Sequence, residues 1–310
     1  MKKLLTTIAC LAVFASGMLS AQVAQYSLDM QPFSNVDISG PFTASIVRGT
    51  QYRVLISVSE AYKPYVICST EGSSLVLSLD EIRVPLEVRR LFRGKGTPDP
   101  VFSAIIYSPD LLQSVNLSGK AILQDTEDIF DKARVTFTLS DNASVKALTL
   151  SSLVFKLDMK GKSGADFKVT CRETLVDLAN SSTLTIDEQS EDSVYSISGS
   201  SKSKVHSATK RLTLGAKGNA SMTISGTGDG ASFELSSTSE VDASRFEVSD
   251  ADVRMSSVSR LSVSAANILR VNLNGGSTLL FAGDPAVSID NIRSATMSRL
   301  NSAGVSSSRL

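Results

Sequence analysis

One short phrase returns ten times between Val115 and Asn291: an apolar residue, a polar one, a second apolar residue, then small polar residues rich in Ser, Gly or Asn. It reads Val115-Asn116-Leu117-Ser118-Gly119, Phe137-Thr138-Leu139-Ser140-Asp141, Leu157-Asp158-Met159-Lys160-Gly161, Val176-Asp177-Leu178-Ala179-Asn180 and Tyr195-Ser196-Ile197-Ser198-Gly199. It continues as Leu212-Thr213-Leu214-Gly215, Phe233-Glu234-Leu235-Ser236, Val253-Arg254-Met255-Ser256, Val271-Asn272-Leu273-Asn274-Gly275 and Val287-Ser288-Ile289-Asp290. Taking Leu117, Leu139, Met159, Leu178, Ile197, Leu214, Leu235, Met255, Leu273 and Ile289 as equivalents, the spacing averages about 19 residues.

A repeat of that length holds two or three strand-sized pieces and cannot bury its apolar face alone. In one copy, period-2 alternation sets Phe233, Leu235, Val241 and Ala243 on one face and Glu234 and Asp242 on the other. Stacking each copy on the last lines like residues up in ladders, and ten windings at about 4.8 Å each give a column on the order of 48 Å long. The reading is all-β: a right-handed parallel β-helix, or solenoid. An antiparallel sandwich does not require one phrase ten times over, and a propeller blade is about twice as long. Gly119, Gly161, Gly199, Gly215 and Gly275 fall at one phase, as expected of a tight corner.

Composition agrees, with no Trp, 6% aromatics and an abundance of Ser, Val, Leu, Thr and Gly. The segment before the repeats is also β-rich. Val36-Asp37-Ile38-Ser39-Gly40 is an early copy of the phrase, and Phe42–Val47, Tyr52–Val58 and Leu75–Leu79 alternate. Residues 22–108 are expected to form a cap or the first windings, and 109–310 the repeat column. Within the first part, 81–100 breaks the pattern with three prolines, glycines and the cations Arg83, Arg89, Arg90, Arg93 and Lys95, and is read as an exposed insertion loop.

Lys2 and Lys3, the apolar run Leu4–Leu19 and the small residues before Gln22 form a signal peptide, 1–21, with cleavage after Ala21. The rival reading, a lipoprotein with Cys10 as the lipidated residue, lacks the usual leucine before it and an apolar segment long enough. The destination is the periplasm, the outer-membrane surface or the exterior. No later stretch has the roughly eighteen apolar residues of a spanning helix, so a transmembrane segment is not expected after signal removal. Losing Lys2 and Lys3 turns 31 basic against 31 acidic residues into 29 against 31, a formal charge of −2, which gives no general attraction for nucleic acid. The mature chain keeps Cys68 and Cys171, as one disulfide or as two buried thiols.

Phe33-Ser34-Asn35-Val36-Asp37-Ile38-Ser39-Gly40-Pro41-Phe42, with Val47-Arg48-Gly49, Leu75–Leu79 and Ser108-Pro109-Asp110-Leu111 downstream, resembles the head-GIN-domain family of putative autotransporter adhesins. The resemblance spans essentially the whole mature chain. It implies a secreted β-helical protein of unestablished biochemical function and brings no active-site signature. The segment ending Ser306-Ser307-Ser308-Arg309-Leu310 leaves no room for the membrane barrel that the word autotransporter implies.

The chemistry is sparse. His206 stands in a Lys- and Ser-rich stretch and reads as a solvated strand residue, and no Gly-x-Ser-x-Gly singles out a nucleophile. The cysteines have no ligand neighbours at metal spacing. Asp229 in Gly228-Asp229-Gly230 and the pair Asp250 and Asp252 read as turns, not as a calcium ladder. Asp158 and Asp177, with Asn116 and Asn272 at the same phase, are expected to line one outer face; paired carboxylates there are what a carbohydrate-active enzyme on this scaffold would need. No catalytic residue, metal or cofactor is assigned. The reading is a surface protein for adhesion or ligand binding, to glycan or protein, with Arg83, Arg89, Arg90, Arg93 and Lys95 as the candidate contacts. Its alternatives are that enzyme or a structural module that multimerises through a helix end.

Overall fold

A computed structural model describes residues 22–300, so the expected signal peptide lies outside the described residues. The chain is a β-solenoid of about 10 turns, with 63% of the described residues in strands.

Two parallel ladders carry the column. The first climbs through Asn35–Ile38, Ser114–Leu117, Arg134–Leu139, Val154–Met159, Glu173–Leu178 and Asp192–Ile197. The second climbs through Thr43–Arg48, Ile122–Leu123, Ser144–Ser151, Gly164–Thr170 and Thr183–Gln189. Beyond them one long strand serves both ladders in each winding: Lys202–Ala216, Ser221–Leu235, Glu240–Met255 and Arg260–Asn274. Alternation does what the sequence predicts. Phe233, Leu235, Val241 and Ala243 are buried inside the coil, while Glu234 faces solvent.

The register corrects the repeat reading in two windings. The inner ladder Leu117–Leu139–Met159–Leu178–Ile197 continues through Ala216 to Leu235, Met255 and Leu273, so Leu214 belongs with Tyr195 and Phe233 instead. Alanine at an inward position removes the bulky signal that alternation relies on. In the last winding a bulge at Asp290 pairs Ile289 with Val271 and hands the equivalent place to Ile292.

The corners form a ladder of their own. Gly40, Gly119, Asp141, Gly161, Asn180, Gly199, Gly218, Ser237, Ser257 and Gly275 all take positive φ. Glycine, asparagine and aspartate tolerate that left-handed region best. Each corner sits on the one below: a Cβ added at Gly199 would lie 2.6 Å from the backbone oxygen of Asn180. Gly215 is not part of this set; its place belongs to Gly218, three residues on. Two residues after each corner from Gly119 onward comes a small buried side chain, Ala121, Ala143, Ser163, Ser182, Ser201, Ala220, Ser239, Ser259 and Ser277. Several of these serines turn back on the corner, as Ser239 and Ser259 do with 2.9 Å bonds to the carbonyls of Ser236 and Ser256.

Aromatic rings fill the lower column, where Phe137 packs on Phe130, Phe155 and Phe167 with centroids 5.1–6.2 Å apart. Each such buried ring contributes about 1.5–3 kcal/mol by transfer from water. Higher up, the apolar bore is interrupted. Glu188 is fully inside, its Oε1 accepting from Ser193 Oγ and Ser207 Oγ at 2.8 Å each. Its Oε2 and the hydroxyl of Tyr195 have no well-formed partner among the described residues. Burial, then the neighbouring Glu188, raises the Tyr195 hydroxyl far above the ordinary tyrosine range. Ser190 joins the cluster through bonds of 2.7 Å to Ser193 and 3.0 Å to Thr209.

The N-terminal end is built differently. Val23–Asp29 runs antiparallel to Arg53–Ser59, which runs antiparallel to Phe102–Ser108, and that strand joins Thr43–Arg48 in parallel. Val66–Glu71 runs antiparallel to Ser74–Leu79, which joins Asn35–Ile38 in parallel. Both ladders are thus closed at this end by strands that double back. At the other end the last described strands, Ala286–Arg293 and Thr296–Arg299, leave Val287, Ile289 and Ile292 40–58% exposed although they continue core ladders.

Candidate functional site

The expected insertion loop carries one short helix, Leu86–Arg90, opened by Pro85, whose fixed φ suits a helix start. Two apolar anchors hold it to the body. Val84 is 5% exposed, and the ring of Phe92 lies 5.4 Å from that of Tyr62, on the 3₁₀ turn Glu60–Tyr65. Tyr62 in turn meets Phe102 at 5.0 Å, and Phe102 meets the core ring of Phe42 at 5.6 Å. A stair of four aromatics therefore climbs from the bore to the loop, which is pinned and not free.

Pinning the loop creates a concavity of about 330 Å³ walled by Tyr62, Phe92 and Phe102. Arg89, Arg93 and Lys120 bring cations to it, against the single carboxylate of Glu81. Arg89 also donates to the carbonyl of Glu81, which fixes its guanidinium. Arg93 has no ion pair or side-chain hydrogen bond among the described residues, so its donors are available to a ligand. Of the five cations singled out in the sequence, two line this cavity. Arg83, Arg90 and Lys95 stay on the solvent side of the loop, Arg83 in an ion pair with Asp80 at 3.3 Å.

Lys120 was not among the sequence candidates. It stands in the corner after Gly119, and only the stacking of that corner on Gly40 and Pro41 brings it to the loop. A second concavity, of about 440 Å³, lies at the far edge of the same strands and is lined by Arg48, Arg53, Gln51 and Tyr107. Asp29 holds the Arg53 Nε at 2.9 Å. Gly49 is required there, since a Cβ would come 2.9 Å from that of Tyr107.

Asp158, Asp177 and His206 sit on the outer surface, whereas Asp229, Asp250 and Asp252, read as turns, lie within the long strands Ser221–Leu235 and Glu240–Met255. Asp158 and Asp177 are paired in register, as alternation predicts, and Asp158 is engaged by Lys156 at 2.9 Å. His206 faces outward with Nδ1 3.2 Å from Ser225 Oγ. Cys68 and Cys171 are free thiols, each pushed up by burial to about 11. Thiols held protonated in this way are poor nucleophiles.

Fold and cavities together define a β-solenoid with a pocketed N-terminal end. Residues 32–202 and 158–285 match the family described as "Putative auto-transporter adhesin, head GIN domain", and the chain belongs to that family. Among solved structures, a putative adhesin from Parabacteroides merdae ATCC 43184 shares 14% identity at a TM-score of 0.50, covering 90% of this chain and 97% of that one. A putative adhesin from Parabacteroides distasonis ATCC 8503 follows with 13% identity and a TM-score of 0.48, covering 90% and 98%. These likenesses concern the fold. No curated protein gives a significant match. No helix among the described residues is long and apolar enough to cross a membrane.

Proposed function

We propose that this chain is an exported surface protein that works by binding, and that its N-terminal end holds the ligand. The ligand class is a glycan or protein segment bearing an anionic group. One observation carries the reading: Arg93 and Lys120 converge with Arg89 on a cavity walled by three aromatic rings. Aromatic walls with a few convergent polar groups are the usual make-up of a binding site, and guanidinium groups favour carboxylate, sulfate or phosphate. The family of adhesins supports a role in attachment without catalysis, and the signal sequence supports export. The chain divides, on this proposal, into an N-terminal part, residues 22–108, that supplies most of the pocket, and a column that displays it and contributes Lys120 from its first corner.

The test is a binding screen of the purified chain against neutral and acidic oligosaccharides and acidic peptides, repeated with Arg93→Ala/Lys120→Ala. Losing two charge-assisted contacts of about 1.5–3 kcal/mol each should weaken the hit by about a hundredfold or more. A hit of undiminished affinity in the double variant moves the site elsewhere, and the absence of any hit removes the binding role itself.

A further inference from the structure

The outer side of the 81–95 loop is a separate surface. Ile82 is 95% exposed, Leu86 60% and Leu91 57%, three large aliphatic side chains held in water within ten residues. Keeping them there is a property of the fold, because Val84 and Phe92 anchor the loop from beneath and hold its backbone in place. Interleaved with them are Arg83, Arg90 and Lys95, and across 81–95 five cations face only Glu81 and Glu87. Among the described residues the side chains of Arg90 and Lys95 make no ion pair and no hydrogen bond.

We infer that this face docks on an anionic lipid bilayer, with Ile82, Leu86 and Leu91 entering the headgroup–acyl boundary and Arg83, Arg90 and Lys95 lying against lipid phosphates. Charge complementarity selects the occupant. Aliphatic side chains fringed by Arg and Lys are the composition of interfacial membrane anchors, whose binding sums apolar burial and attraction to anionic headgroups. Protein hot spots instead favour Trp and Tyr seated in pockets, and this loop turns its aromatic ring inward, toward Tyr62. Attachment of this kind is peripheral and reversible. It uses none of the pocket-facing groups Arg93 and Lys120, so it stands or falls independently of the ligand-binding proposal.

The experiment is co-sedimentation of the purified chain with vesicles of phosphatidylcholine alone and with about 30 mol % phosphatidylglycerol, at about 20 mM and about 500 mM salt. Binding is expected only to the anionic vesicles and only at low salt. Ile82→Asp/Leu86→Asp and, separately, Arg90→Glu/Lys95→Glu should each reduce it at least about tenfold, and Arg93→Ala/Lys120→Ala should leave most of it. All these side chains point away from the core, and an unchanged melting temperature confirms folding of each variant. No binding to anionic vesicles, binding indifferent to Ile82→Asp/Leu86→Asp, or a concentration-dependent dimer abolished by those substitutions would each overturn the inference, the last by assigning the face to a second copy of the chain.

Discussion

The two halves of this molecule solve burial in opposite ways. In the column each winding repeats the one below, so every inward residue finds an equivalent neighbour in the ladder and the outer surface is regular. At the N-terminal end the strands double back, the 3₁₀ turn and the loop are used once each, and four aromatic rings stack outward from the core. Periodicity gives the column its stability and length, while the N-terminal end is built from elements that occur once. The two N-terminal concavities lie where the repeat is interrupted.

The contrast can be tested by stability, beginning with the largest effect. Phe137→Ala removes a fully buried ring with three aromatic neighbours and should cost about 3–5 kcal/mol in denaturant unfolding. A cost below about 1 kcal/mol would mean that the windings repack freely. Corner substitutions come next. Gly199→Ala carries about 1–2 kcal/mol for its left-handed backbone and more for the 2.6 Å approach to Asn180. Gly72→Ala, in the N-terminal hairpin at φ +60 with open space around it, carries the conformational cost alone. Equal costs at the two sites would deny that the corners stack.

Glu188→Ala should cost about 1–3 kcal/mol, since Ser207 loses its acceptor inside the bore. Glu188→Gln keeps an acceptor for both serines and should fall well short of that. If Gln were as damaging as Ala, the charge and not the hydrogen bonding would be what the cluster maintains.

The smallest effect is a pH slope. Cys68 reports on the N-terminal end and Cys171 on the column, and both thiols keep their proton up to about 11 when folded, against an ordinary value of 9.0. Between those values the folded chain binds more protons than the unfolded one, so this contribution is complete below pH 9 and is lost as pH rises toward 11. Unfolding free energy should decline over that window, and Cys68→Ser/Cys171→Ser should flatten the decline. At pH 8 only roughly one thiol in a thousand is ionised, so alkylation should be slow at both. Cys68, on the edge strand Val66–Glu71, should react faster than Cys171; the reverse order would make the column the looser half.

The architecture was legible because alternation and spacing are direct projections of the ladders. Reading failed where the projection weakens: Ala216 is too small to mark an inward position, and the bulge at Asp290 shifts the phase by one residue. The corner set was half visible, since glycine advertises a left-handed corner but Asp141, Asn180, Ser237 and Ser257 fill the same role without standing out. Of the candidate site, the cations were readable as a run, but which of them turn inward depends on Val84 and Phe92 anchoring the loop. Lys120 was out of reach, because about forty residues of chain and a full winding separate it from its pocket neighbours near Glu81.

Identical corners make the windings interchangeable parts. Gly218 and Ser237 occupy the same left-handed step, so excising residues 219–237 would splice one corner to the next in phase and shorten the column by about 4.8 Å without rotating the windings beyond the splice. Duplication of the same block would lengthen it by that amount. Selection can thus adjust how far the N-terminal end stands from the last winding by whole units of coding sequence, and leave its pocket untouched.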